Sequence, residues 1–125
     1  MSEQPLFIYV SGPYSPPSFE NDPVKREQII EKNIRIADEN AQEIVKRGHI
    51  PFVPHTMMRG WEDLHKMHRD RVMYISRRWV EKCDALLFIA PSAGANYEKQ
   101  IAEKKGIKIF YKLAEIPKIL SPTNS

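Results

Sequence analysis

Asp84-Ala-Leu-Leu-Phe-Ile-Ala90, followed at once by Pro91-Ser-Ala-Gly-Ala-Asn-Tyr-Glu-Lys-Gln-Ile-Ala102, is the stretch on which the fold turns. After Asp84 the first segment is apolar at every position. A strand with one wet face alternates apolar and polar, whereas an unbroken apolar run predicts a central parallel strand covered on both sides. The second segment reads as a turn, PSAG, and then a helix over about Asn96 to Lys105, with Gly106 as its stop.

The same alternation of elements continues in both directions. Downstream, IKIFYKL predicts a further strand, and AEIPKIL a short edge piece. Upstream, Leu6 to Val10, LFIYV, is a β-rich run that Ser11-Gly12-Pro13 stops. The long loop GPYSPPSFENDP follows, and loops of that length are often functional. From Val24 to Arg47 the spacing changes, and Ile30, Ile34, Ala37, Ala41, Ile44 and Val45 predict one face of a helix ending at Gly48. Ile50 to Val53 predicts a second strand ending at Pro54-His55. A less regular stretch then leads to a helix whose buried stripe is read as Val72, Ile75, Trp79, Val80 and Cys83.

Strands alternating with helices predict a three-layer α/β fold, flavodoxin- or Rossmann-like, with a parallel sheet of four to five strands and helices on both faces. Ligands of such sheets bind beyond the carboxyl ends of the strands. Those ends are Ser11 to Ser15, Pro54-His55 and Pro91 to Gly94, three loops distant in sequence that converge on one crevice.

The totals bound the function. At 125 residues, 42% hydrophobic and 28% charged, the chain reads as one globular domain, with a core over about residues 6–113 and a polar tail over about 121–125. A formal charge of +3 with interleaved signs argues against polymeric nucleic acid as a partner, and suits a small anionic ligand or a plain solvated surface. The single cysteine, Cys83, excludes an intrachain disulfide. No signal-like start and no apolar run of membrane-spanning length are visible, so the expectation is a cytoplasmic protein with no membrane partner.

Within the crevice, Gly94 leaves room for close approach of a ligand to backbone. Ser92, Asn96 and the free N–H groups of the helix start suit an anion or hydroxyl. Glu98 reads two ways, as a helix-starting carboxylate of a capping box or as a group aimed at a ligand. One glycine matches neither a P-loop nor a dinucleotide fingerprint, so no nucleotide cofactor is expected. Tyr14 and Ser15 place two hydroxyls between prolines, where a plain turn explains them equally well. His55 follows a strand end directly. His65, His68 and Asp70 have the spacing of an exposed amphipathic segment, and no metal is expected there. Asp84 and Cys83 read as turn structure and packing.

Together these pieces resemble the nucleoside 2-deoxyribosyltransferase-like superfamily, closest to a small branch that opens IY-x-[AS]-GPYS and is related to deoxynucleoside monophosphate N-glycosidases. The matching residues are Ile8 to Ser15 with Gly12 among them, Asn33 to Ala41, Gly48 to His55, Cys83 to Leu87, and Ser92-x-Gly94-x-x-Tyr97-Glu98, spread over residues 6–111. The resemblance implies that Glu98 is a nucleophile toward the anomeric carbon of a deoxyribosyl group. It implies further that Gly12, Tyr14, Ser15, Ser92, Gly94 and Asn96 hold the substrate, a small-molecule nucleotide or nucleoside, and that the chain forms a homo-oligomer, a dimer or higher. Characterised members carry an aspartate where this chain has Ser76, eight residues before Asp84. A serine is a poor proton donor at neutral pH. The acid is therefore expected elsewhere, with His55 one candidate, or the domain binds a nucleotide without turning it over. Members acting on monophosphates tend to have serine at the position of Ser92, which tilts the expectation toward a nucleotide.

Overall fold

In the computed structural model, which describes residues 4–120, a four-stranded parallel sheet lies between two helical layers. β1 (Phe7–Ser11), β2 (Ile50–Phe52), β3 (Ala85–Phe88) and β4 (Lys108–Phe110) stand in the order β2-β1-β3-β4. β1 pairs with β3 from Ile8↔Ala85 to Ser11↔Phe88, so its last residue lies beside the last residue of β3.

α1 (Pro23–Lys46) covers one face, and α3 (Arg69–Lys82) and α4 (Ala93–Lys105) cover the other; the single-turn α2 (Pro54–Met57) follows β2. The two-residue period of the central strands divides their side chains between the layers. Ile8, Val10, Ala85 and Leu87 pack with Ala37, Ala41 and Ile44 of α1. Tyr9 and Leu86 pack with Val80, Cys83 and Ala102 on the opposite side. The connections diverge between β1 and β3: one leads outward to β2 through α1, the other returns to β3 through α3. That divergence is the switch point at which crevices of this architecture open.

Three predicted details differ. Trp79 is not in the buried stripe of α3: it is 40% exposed and stacks on Phe52 of edge strand β2 at 4.2 Å. Val80 and Cys83 are buried as expected, and Ser76, four residues before Val80, is the third buried position. Val45 likewise faces solvent beyond the α1 stripe. No fifth strand forms among the described residues; Leu113–Glu115 is one 3₁₀ turn, and Ile116 packs into the α1 core. The predicted polar tail lies outside the described residues. No described helix is long and apolar enough to cross a membrane.

The last described residues are clasped to the start of the sheet. His49 Nδ1 accepts from Leu6 N–H at 3.0 Å while Nε2 bonds the Pro117 carbonyl at 2.6 Å. Asp84, at the amino end of β3, accepts from Phe7 N–H at 2.9 Å, the structural role read for it from position.

Candidate functional site

α4 begins at Ala93, three residues earlier than the periodicity suggested, and this decides the reading of Glu98. Ser92 is the N-cap, its Oγ accepting from Ala95 N–H at 3.0 Å. A capping box requires its carboxylate at the third helical residue, which is Ala95 here. Glu98 stands one turn further along, too far to reach the cap. It is 9% exposed and turned toward the sheet.

Two hydroxyls of β1 meet it. Tyr9 donates to Glu98 Oε2 at 2.7 Å, and Ser11 donates to Oε1 at 2.8 Å. Positions two apart on a strand face the same way, so Tyr9 and Ser11 present both donors to one carboxylate. Burial pushes the Glu98 carboxyl up from 4.5 to about 7, and the hydroxyls of Tyr9, Ser11 and Ser76 pull it part of the way back. The Tyr9 phenol is driven well above its ordinary range, by burial first and by the Glu98 charge second, so it remains a donor.

In front of Glu98 lies a cavity of about 590 Å³, within the size range of small-molecule sites. Its walls come from the loop after β1, from α1, from the segment between β2 and α3, and from the N-terminal halves of α3 and α4. Ile29, Met58, Val72 and Met73 give it an apolar side, while Ser76, Ser92 and Glu98 give it a polar one. Arg69 is the single Lys or Arg side chain lining it among the described residues, and it is held loosely by Glu62 at 3.5 Å. Ser76 is buried at this wall, on the cavity side of α3.

Of the residues expected from sequence, Glu98, Ser76, His55, Gly12, Tyr14, Ser15, Ser92 and Gly94 all line this one cavity. Gly94 sits inside the first turn of α4, and a Cβ built there would meet nothing within 4 Å. Ser15 is exposed at the mouth. Tyr14 accepts from Gly60 N–H at 3.1 Å, which ties the first loop to the segment before α3 and leaves the phenolic hydrogen without an acceptor among the described residues. Asn96 is the exception: it is exposed and does not line the cavity, because α4 turns Ala95, Glu98 and Ala102 toward the sheet and Asn96 lies off that stripe.

His55 lines the cavity but is poorly set up as an acid. Its Nε2 faces two carbonyl oxygens, Gly12 at 3.1 Å and Pro13 at 3.0 Å, so the hydrogen resides there. Burial lowers its pKa, keeping the ring neutral, and Nδ1 has no partner among the described residues. The group latches the first loop. His68, read from sequence beside His65 and Asp70, accepts from Asp70 N–H at 3.1 Å as the N-cap of α3.

Four residues at or behind the site were not singled out from sequence: Tyr9, Ser11, Asn33 and Arg69. Tyr9 and Ser11 carried a signal, hydroxyl-bearing side chains two apart in an otherwise apolar strand. Asn33, which donates to the Tyr14 carbonyl at 3.0 Å, stood in the sequence as the first residue of the matching segment Asn33 to Ala41 with no role attached, and Arg69 carried no signal, since polar residues on helices usually face water.

Residues 7–112 match a family described as a domain of unknown function, DUF7768, and the chain belongs to that family. No curated protein matches it.

Proposed function

We propose that this DUF7768 chain cleaves, or transfers across, the N-glycosidic bond of a (deoxy)nucleotide or nucleoside, with Glu98 as nucleophile. The observation that carries the reading is the placement of a buried carboxylate between two hydroxyl donors on the sheet side and an open cavity on the other. Neither Tyr9 nor Ser11 lines the cavity, so both anchor Glu98 from behind.

In the first step a Glu98 oxygen bonds to C1′, the C1′–N bond breaks, and its electron pair leaves with the base, which takes a proton from solvent water. In the second step water or the ring nitrogen of another base attacks C1′ and gives up its proton to solvent, the ester bond breaks, and the carboxylate is restored. This is the two-step logic of retaining glycoside chemistry. The apolar wall of Val72, Met73 and Met58 suits a flat base, and the hydroxyls of Ser92 and Tyr14 suit the sugar. The N–H groups of Ala93 and Gly94 at the start of α4, with Arg69 on the cavity wall, favour a 5′-phosphate on the substrate. A homo-oligomer, by family resemblance, and a cytoplasmic setting, by the single cysteine and the absence of a signal-like or membrane-spanning run in the sequence, complete the reading.

Ser76 supports a second reading. It offers a hydroxyl where an acid would assist the departing base, and a nucleotide-binding module without turnover fits that substitution. Incubating the protein with a panel of deoxynucleoside monophosphates separates the two. Free base that disappears in Glu98→Ala supports catalysis, whereas tight binding without base release supports the binding module. Full turnover by Glu98→Gln would sink the nucleophile assignment.

A further inference from the structure

A carboxylate that must attack a carbon has two requirements that burial opposes: it must be ionised, and one lone pair must face the substrate. Tyr9 is present in full on one oxygen, at 2.7 Å from Oε2. The other oxygen depends on Ser11 alone among the hydrogen-bond donors of β1, at 2.8 Å from Oε1. We propose that Ser11 is a positioning residue whose hydroxyl favours the ionised form of Glu98 and aims it at the cavity, so that its loss moves the pH at which the site becomes competent. The inference rests on reading Glu98 as the nucleophile.

The surroundings make this hydroxyl decisive. From β1, Glu98 faces Tyr9 and Ser11; from α3 it faces Ser76, with Cys83 further back beside Tyr9. His55, Glu62 and Arg69 lie around the same cavity, but among the described residues the hydrogen-bond partners of the Glu98 carboxylate are hydroxyls and not cations. The anion is therefore held by hydroxyl dipoles and no counter-ion. Removing one of a few donors from such a site shifts its titration, because nothing else offsets burial.

Position supports the same role. Ser11 ends β1, is fully buried, and lies in register with Phe88 at the switch point, so its Cα is fixed by the ladder on the β3 side. Gly12, the next residue, lines the cavity, and its carbonyl receives the His55 Nε2–H. The loop latch thus fixes the backbone directly after the serine.

The test titrates Glu98 by carbon NMR in the ligand-free full chain, with glutamate labelled at the carboxyl carbon and the resonance assigned through Glu98→Gln. In Ser11→Ala the midpoint is expected to rise by about one pH unit, the size of one lost hydrogen bond to a charged group. Ser11→Thr, which keeps the hydroxyl, is expected to return the midpoint toward the wild-type value. Should Ser11→Ala fail to fold, Ser11→Cys, with a weaker donor of similar size, must still raise it. An unmoved midpoint in a folded variant overturns the proposal. Where base release is measurable, the acid limb of its pH profile must move with the midpoint. A shifted midpoint without base release by the wild type leaves the Ser11 clamp standing and removes the nucleophile reading alone.

Discussion

Tyr9, at the centre of the sheet, donates its phenolic hydrogen to Glu98 Oε2 on α4 at 2.7 Å, and its ring is fully buried against Phe52 at 5.5 Å. A residue 89 positions away in sequence therefore holds the one buried carboxylate among the described residues. Tyr9→Phe keeps the ring and deletes the donor. At pH 8 the variant is expected to lose about 1–3 kcal/mol of stability, the cost of a buried charge short of one bond. At pH 5.5, where Glu98 is protonated in the fold, the loss is expected to shrink. Urea denaturation at the two pH values checks both.

The Glu98 carboxyl titrates at about 7 in the fold against 4.5 in a free chain. The native state holds the extra proton between those values, so stability is fully present below about pH 4.5 and falls as pH rises through 7. Glu98→Gln removes the titrating group and keeps partners for both hydroxyls. It is expected to flatten that pH dependence and to exceed wild type at pH 8 by on the order of 2–3 kcal/mol. A midpoint series from pH 4 to 9 measures it. A variant with the wild-type slope would show that burial of Glu98 carries no ionisation cost.

Gly94 separates stability from binding. Its added Cβ would meet no protein atom, and alanine suits a helix better than glycine by about 0.5–1 kcal/mol. Gly94→Ala is therefore expected to raise the melting temperature slightly while a methyl enters the cavity and weakens binding of the proposed nucleotide ligand. Calorimetry of binding beside thermal unfolding tests the pair of effects together.

Gly48 presents the opposite case. Its φ is +93°, and a Cβ there would lie 2.5 Å from the Ile119 carbonyl oxygen. Gly48→Ala is expected to destabilise by about 2 kcal/mol or more, from left-handed strain and displacement of the C-terminal clasp. Chemical denaturation checks it, and an unchanged midpoint would show that the clasp contributes nothing.

Cys83 is 6% exposed, and burial pushes its thiol up to about 11, with the Asp84 charge adding to the effect. Thiolate is the reactive form, so an aromatic disulfide reagent is expected to leave the native protein untouched and to titrate one thiol per chain in denaturant.

The layers of this protein are written in local pattern. The apolar run after Asp84, the i, i+3, i+4 spacing of α1, and Gly48 and Gly106 at helix ends identify the sheet and its cover, because hydrophobic periodicity and backbone freedom are properties of neighbours in sequence. The convergence of the three strand-end loops was legible for the same reason. What lay beyond local pattern was orientation. A helix boundary misjudged by three residues changes which residues stand at the cap and which lie a turn inside. That is why Glu98 escapes the cap, while Asn96 faces water because the stripe of α4 that meets the sheet runs through Ala95, Glu98 and Ala102. The pairing of Tyr9 and Ser11 with Glu98 depends on the β1–β3 register and on where α4 crosses the sheet. Those quantities are set by packing between segments nearly ninety residues apart, and no window of sequence contains them.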